Sequence, residues 1–448
     1  MNTNSSGELS SNKDCIKKLF FIFMSAGFVC FLVTAVVTRG VSLNVLLFGD
    51  INPSLGGINP YQDEFMDLFN SISHSTGKIP YENAPISPAN GPAIYPPFAY
   101  LIYKFLALLI PYDVLVSGSH AIRSSQMGLV ILSFYISISS MALYFIIAHN
   151  KKGTGIEKFV FSLLISLSFP FVFQIERANI IFIALIFLML FIYGKDSENK
   201  IIRELSLVCL AISAAIKIYP AVFGLLLVKE RRFKETLRLV IYGVIGFFAP
   251  FFAFGGLRSI SLFIESLSKL AEQFYKSFAY KVNFTNTVRL FFAAINKSSA
   301  WIDMAANILL IIIVVLIAIS VFSIKSKWRV MTLLSLSTIL IPSFSYFYTL
   351  IFMLPPLMFF LDTKEERKKI DYAYLVLFIL LFIPLPIIEP LFSRFKVSQL
   401  LVVFEGSLVL ALLVLLLFEG MISLLKMKNP KSEKSEKICR DFTNGAIQ

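Results

Sequence analysis

The stretch "LAISAAIKIYPAVFGLLL", Leu210 to Leu227, decides how this chain is built. Without Lys217 and Pro220 it would read as one span of apolar helix. With them it reads as two apolar pieces meeting at a charged break. Proline has no N–H to donate inside a helix and crowds the carbonyl four residues back, so an uninterrupted helix through position 220 is disfavoured. Lys217 adds to the cost, because an ammonium among hydrocarbon must find an anion, a cavity or a carbonyl. The expectation is a broken pair that crosses twice, with the Tyr219-Pro220 break on the outer side.

The rest of the chain sets the class. Of its 448 residues, 57% are hydrophobic and only 15% charged, a composition no soluble globular protein needs. Mean hydropathy is +0.76. Apolar runs of about 15 to 25 residues recur from residue 19 to residue 425, and about 20 helical residues cross a hydrocarbon core. The runs are solid rather than alternating, which excludes an outer-membrane barrel and demands helices. The expected fold is an all-α polytopic membrane protein. The first run, Leu19 to Thr38, reads as a retained span, because it is long and no small-residue cleavage site follows it convincingly.

The net charge of +13 would suggest nucleic acid in a soluble protein. Here the basic residues concentrate in segments 1–18, 149–158, 195–203, 229–238, 325–329, 362–371 and 426–448, which together hold well over half of the 41 Lys and Arg. The positive-inside rule makes that face cytoplasmic, with both termini inside and no role for nucleic acid. The polar segments 39–95, 176–179, 217–220, 257–303, 343–348 and 389–397 then fall outside. About twelve spans result, provided residues 96–111 dip without crossing fully. Read as full single crossings, that segment and residues 204–228 would move the basic loop 149–158 outside.

Domain organisation is correspondingly simple: a cytoplasmic tail 1–18, one transmembrane domain 19–425 with outer loops 39–95 and 257–303, and a solvated basic tail 426–448. Within the second loop Phe263, Leu267, Leu270, Phe274 and Phe278 recur at three and four residues, the pattern of an amphipathic helix. Cys15, Cys30, Cys209 and Cys439 show no zinc or disulfide spacing. His74, His120 and His149 are the three histidines, and their scatter argues against a histidine-based metal site.

Candidate chemistry lies outside. The first outer loop contains Asp63, Glu64 and Asp67. In a helix from Gln62 to Ser73, Asp63 and Asp67 share a face, although acids also simply suit the positive end of a helix. Arg177, Asn179 and Lys217 sit between apolar runs, where snorkelling or an Arg177 to Glu176 pair is the plain alternative to function. "NGPAIYPPFAY", Asn90 to Tyr100, starts a helix at Pro96-Pro97 and holds Tyr95 extended before it. A carboxylate that takes a proton from an attacking hydroxyl, beside cations that neutralise a phosphate leaving group, suits sugar transfer from a lipid-linked phosphate.

Several of these segments together resemble glycosyltransferase family 87 of the GT-C superfamily. The resemblance rests on Asp63 or Asp67, Gly77, Pro80-Tyr81, Tyr95-Pro96-Pro97, the turn Glu176-Arg177-Ala178-Asn179, "IKIYPAVFGLLLVKERRF", "NFTNTVRLFF" and "PSFSYFYTLIFMLPPL", in order over roughly residues 20 to 360. Arg177 stands where the family's turn has glutamine, and Tyr346 to Tyr348 stand where a later histidine is usual.

The resemblance implies a GT-C-type bundle of about 10 to 13 transmembrane helices in the plasma membrane. It also implies transfer of a hexose, mannose foremost, from a polyprenyl-phosphate sugar to an extracytoplasmic glycolipid or glycan. The transfer inverts the anomeric carbon, with an aspartate as base and no cofactor beyond the donor itself. Spacing from Gly77 and Tyr81 suits Asp63, whereas "MDLFNSI" makes Asp67 the slightly favoured base. Lys217, Arg177 and Arg289 are the expected donor-phosphate cations. Tyr95, Asn179, Tyr219, Asn286 and Tyr348 are expected to shape the pocket. The competing reading is a transporter or flippase for an anionic lipid-linked substrate, for which broken helices and buried cations would also serve. A large carboxylate-bearing loop on one side only, without a paired half-repeat, argues against it.

Overall fold

A computed structural model describes residues 4–37, 64–82, 92–274, 281–294, 300–384 and 397–428. Asp63, most of the loop 39–95, Phe278 and the basic tail beyond residue 428 lie outside the described residues. Among those described, the chain is helical, with a single isolated bridge between Lys281 and Tyr346 and no strand ladder.

In chain order the helices are α1 (Asn4–Val37), α2 (Met66–Ser75), α3 (Pro97–Ala107), α4 (Tyr112–Val116), α5 (Ser119–Ser124), α6 (Gln126–Asn150), α7 (Gly155–Ser166), α8 (Phe169–Arg177), α9 (Ile181–Gly194) and α10 (Lys200–Ile216). A 3-10 turn, Tyr219–Gly224, leads into α11 (Leu225–Lys229), followed by α12 (Phe233–Phe252), α13 (Leu257–Phe274), α14 (Phe284–Ala294), α15 (Ala300–Ser323) and α16 (Lys327–Leu340). A second 3-10 turn, Phe347–Met353, precedes α17 (Leu354–Asp362), α18 (Lys369–Phe382) and α19 (Val397–Lys428).

Five of the described helices are long and apolar enough to cross a membrane, and a sixth span forms if α7 and α8, bent by 57°, count as one. They expose apolar side chains such as Val244 and Phe248 on α12 and Ile311 and Val315 on α15, as a lipid-facing surface requires. The protein is therefore an all-α polytopic membrane protein.

Ion pairs show which chain segments share an end. Asp362 takes both Lys17 at 3.6 Å and Lys151 at 2.7 Å. Lys195 pairs with Glu230 at 2.5 Å, and Asp196 with Arg232 at 3.1 Å and Lys327 at 3.4 Å. Arg329 reaches Asp371 at 2.7 Å and Glu419 at 2.6 Å. The basic segments around residues 17, 151, 195, 230, 327 and 368 thus gather at one polar end, as their charge predicts. The loop at 149–158 belongs with them. Lys151 and Lys195 have almost fully buried side chains, so their carboxylate partners matter chiefly because an unpaired buried ammonium would be costly.

The break falls where the sequence places it. Helix α10, about 25 Å long, starts beside the pair Lys195–Glu230 and ends at Lys217, which adopts an extended backbone. After Pro220 the chain returns through the 3-10 turn and α11 to Glu230, at the end it left. Helix α3 has 11 residues, about 16 Å at helical rise, too little to cross about 30 Å of hydrocarbon. Helix α13 buries Phe263 and Leu270, the amphipathic face that the spacing predicts, with Phe263 packed on Tyr81 and Phe251.

Two apolar clusters hold the bundle. The larger surrounds Trp328, Phe360 and Tyr374, whose rings meet edge-on about the indole. The smaller, with Phe69, Tyr95, Tyr100, Tyr103 and Phe251, lies where the other polar segments converge. Gly420 lets α19 approach α15 closely, since a Cβ there would come within 2.2 Å of Ser320 Oγ.

Candidate active site

At the opposite end from the clustered basic loops, the segment before and including α2 meets the turn between α8 and α9. Helix α2 begins at Met66 rather than Gln62, because Phe65 adopts the left-handed conformation with φ 63° and the chain before it is a turn. Glu64 therefore stands outside the helix, and the expected pairing of Asp63 with Asp67 on one helix face involves a residue, Asp63, outside the described residues. The Phe65 N–H donates to Glu176 O at 2.7 Å, which ties the start of α2 to the end of α8.

Ala178 is also left-handed, with φ 47°, and caps α8. Each such non-glycine residue costs on the order of 1–3 kcal/mol and persists only where its surroundings fix it. Two strained residues thus flank the same three side chains: Asp67, Arg177 and Asn179.

Asp67 accepts from both. Arg177 Nη2 lies 2.6 Å from Asp67 Oδ1, and Asn179 Nδ2 lies 2.7 Å from Asp67 Oδ2. The same Asn179 amide donates to Tyr95 Oη at 2.8 Å. Its orientation is fixed, because Asn179 Oδ1 accepts from the Ile181 N–H at 3.0 Å, leaving the NH2 group to face the carboxylate. The Asn179 carbonyl accepts from Tyr135 Oη and Gln174 Nε2, both at 2.5 Å. Asn179 is fully buried, and every polar atom of its side chain is used.

Tyr95 and Lys217 form the next layer. Pro96 and Pro97 start α3, so Tyr95 stays out of the helix as the sequence predicts, and its carbonyl accepts from Tyr81 Oη at 2.9 Å. Lys217 Nζ sits 4.0 Å above the Tyr95 ring and 5.8 Å from that of Tyr348. Among the described residues no carboxylate lies within ion-pairing distance of this ammonium, so the aromatic faces hold it. Tyr348 continues to Tyr346, ring centroids 5.6 Å apart. Tyr219 packs edge-on to Phe352, and its buried hydroxyl has no hydrogen-bond partner among the described residues, an unusual state for a buried phenol.

Of the residues singled out from sequence, Asp67, Arg177, Asn179, Tyr95, Lys217 and Tyr348 come together, with Tyr219 beside them. Arg289 and Asn286 line a second cavity with Lys281 and Asp303. Sequence reasoning missed Tyr135 and Gln174, and noted Tyr346 only as part of the stretch that replaces a usual histidine. Gln174 carried a usable signal, an amide within an apolar run one turn before Arg177. Tyr135 carried none, because a tyrosine in an apolar helix looks like packing.

The arrangement joins a hydrogen-bonded carboxylate, a guanidinium and an ammonium in a partly closed polar site at one end of a membrane bundle. Comparison with curated proteins and with solved structures returns no match. The family model described as glycosyltransferase family 87 matches residues 93–351, a span that contains Tyr95, Arg177, Asn179, Lys217 and Tyr348 and begins after Asp67. The match covers more than half of the chain, so the protein belongs to glycosyltransferase family 87.

Proposed function

We propose that this membrane glycosyltransferase moves a hexose, mannose foremost, from a polyprenyl-phosphate donor to an extracytoplasmic glycolipid or cell-envelope glycan. The observation that carries the reading is the Asp67 carboxylate wired to Arg177 and Asn179 beside Lys217. A base and two phosphate-seeking cations are what such a displacement needs.

In the reaction the acceptor oxygen forms a bond to the anomeric carbon as the bond from that carbon to the phosphate oxygen breaks. The bonding pair leaves with polyprenyl phosphate, which gains one negative charge. Lys217 and Arg177 meet that charge, a stabilisation that grows as the bond breaks and so lowers the barrier. The hydroxyl proton goes to Asp67, and attack opposite the leaving group inverts the anomeric centre.

Arg177 occupies one Asp67 oxygen. A donor phosphate competes for that guanidinium, which frees Oδ1 while Asn179 keeps Oδ2 oriented. The base is thus released when the donor is in place. The aliphatic polyprenyl chain suits the exposed apolar flanks of the bundle, and the polar end carrying Asp67 is the extracytoplasmic one by the positive-inside rule.

The test is purified protein in lipid with a panel of polyprenyl-phosphate sugars and a membrane glycolipid extract. Transfer or slow hydrolysis of one donor supports the reading, and inertness toward all of them sinks it. Counterflow of a labelled sugar phosphate in proteoliposomes would favour transport instead.

A further inference from the structure

The Tyr219 hydroxyl lies beside the reaction centre, and the displacement described above assigns it no role. It is buried and has no hydrogen-bond partner among the described residues. Buried polar groups are nearly always paired, so one left unpaired within the chain calls for a partner from outside it.

Local structure sets where that hydroxyl stands. Lys217 ends α10 with an extended backbone, φ −142° and ψ 123°, and Tyr219 opens the 3-10 turn two residues later. Between them Ile218 is 51% exposed, whereas Lys217 is 7% exposed. The break thus turns residue 218 outward and its two neighbours inward. The Tyr219 ring packs edge-on to Phe352, centroids 6.0 Å apart, and Ser335 Oγ donates to the Phe352 carbonyl at 2.7 Å, which holds that wall in place.

Lys217 and Tyr219 converge on Tyr348. Lys217 Nζ is 5.8 Å from the centre of the Tyr348 ring, and the Tyr219 and Tyr348 hydroxyls lie within electrostatic reach of each other. Asp67 is within the same reach of Lys217 and of Tyr348. The ammonium is held by aromatic faces, and the phenol has no acceptor among the described residues. An ammonium can only donate, and a phenol donates most strongly to an anion. The place where the two meet therefore suits an acceptor-rich anion, and a phosphate offers oxygens enough for both.

We infer that the Tyr219 hydroxyl donates a hydrogen bond to a phosphate oxygen of the lipid-linked donor, forming with Lys217 a two-point cradle for that phosphate. The inference rests on the transferase reading and adds a donor-binding residue to it. As the bond to the anomeric carbon breaks, the phosphate gains negative charge and the hydrogen bond strengthens. The phenol keeps its proton throughout.

The test is a titration of the full chain in lipid nanodiscs with farnesyl phosphate, farnesol serving as the probe without an anion. Tyr219→Phe keeps the ring against Phe352 and loses only the hydroxyl. Its affinity for farnesyl phosphate should fall at least about tenfold, the loss expected for one hydrogen bond to a charged group, with farnesol binding unchanged. Its melting temperature should equal or exceed that of the wild type, because an unpaired buried hydroxyl has been removed. With polyprenyl-phosphate mannose, kcat should fall by a larger factor than the donor KM rises.

No binding of farnesyl phosphate to the wild type, wild-type affinity in Tyr219→Phe, an equal loss for farnesol, or a lower melting temperature would overturn the inference and leave the tyrosine a packing role. Turnover separates it from the transferase reading. A wild type that transfers sugar, beside a Tyr219→Phe variant that binds farnesyl phosphate equally well, overturns the Tyr219 assignment alone. A wild type that binds farnesyl phosphate through Tyr219 and turns over no donor upholds the phosphate cradle and sinks the transferase reading.

Discussion

Arg177 Nη2 lies 2.6 Å from Asp67 Oδ1, joining residues 110 positions apart in sequence. Neither partner is exposed enough for the pair to be a surface ornament, with side chains 19% and 17% exposed. A partly buried ion pair is weak evidence for stability, since desolvation offsets much of its attraction. Its location between two left-handed residues points to function.

Asn179 is the second donor to that carboxylate and, in the proposed reaction, the one that stays with it. Asn179→Ala removes the bonds to Asp67 Oδ2 and Tyr95 Oη. Loss of one oriented donor at a reacting group costs about 10²–10³ in rate. Steady-state kinetics should show that loss mainly in kcat, with the donor KM changed far less.

Lys217 is a buried cation held by aromatic rings rather than by a carboxylate. Burying such a group costs stability, so Lys217→Met should unfold at the same temperature as the wild type or above it. Activity should move the other way, with kcat/KM for the donor down at least about 100-fold, the order expected for losing a charge-stabilising group. Thermal unfolding and kinetics on one preparation check both. A variant that is less stable and fully active would assign Lys217 a structural role.

Tyr95 separates two contributions. Tyr95→Phe keeps the ring under Lys217 and loses only the hydroxyl that accepts from Asn179, so a loss of about tenfold or less is expected from one neutral hydrogen bond. Tyr95→Leu also removes the aromatic face beneath the ammonium and should cost about thirtyfold more, since a desolvated cation–π contact is worth about 2 kcal/mol.

The two ends that the ion pairs define make the proposed sidedness testable. With the native cysteines replaced by serine, a thiol at exposed Glu198 belongs to the basic end, and a thiol at exposed Asp113 to the end carrying Asp67. A membrane-impermeant maleimide added to intact cells should label Asp113→Cys and spare Glu198→Cys until the cells are opened. The reverse pattern would turn the whole topology over.

Much of this was legible before the structure. The Lys217 and Pro220 break could be read because proline chemistry and the cost of a buried charge are local properties. The grouping of Lys17, Lys151, Lys195 and Lys327 at one end could be read because charge bias follows topology. The start of α2 was misplaced by four residues, since nothing local shows that Phe65 adopts a left-handed conformation held by the distant Glu176 carbonyl. Tyr135 escaped for the same reason, acting on Asn179 through a contact that only tertiary packing creates, whereas Gln174 bonds Asn179 within its own turn and could have been read. The separation of Arg289 and Asn286 into their own cavity was likewise invisible, because one cationic outer residue looks like another until the fold sorts them.

The central claim is that Asp67 takes the acceptor's proton, and the rate of sugar transfer from polyprenyl-phosphate mannose by wild type and Asp67→Asn in lipid tests it most directly. Asparagine keeps the shape and a partner for Arg177 but cannot take up the proton, so a loss of about 10²–10⁴ in kcat is expected, the range of general base catalysis. Transfer by Asp67→Asn at the wild-type rate would contradict the account.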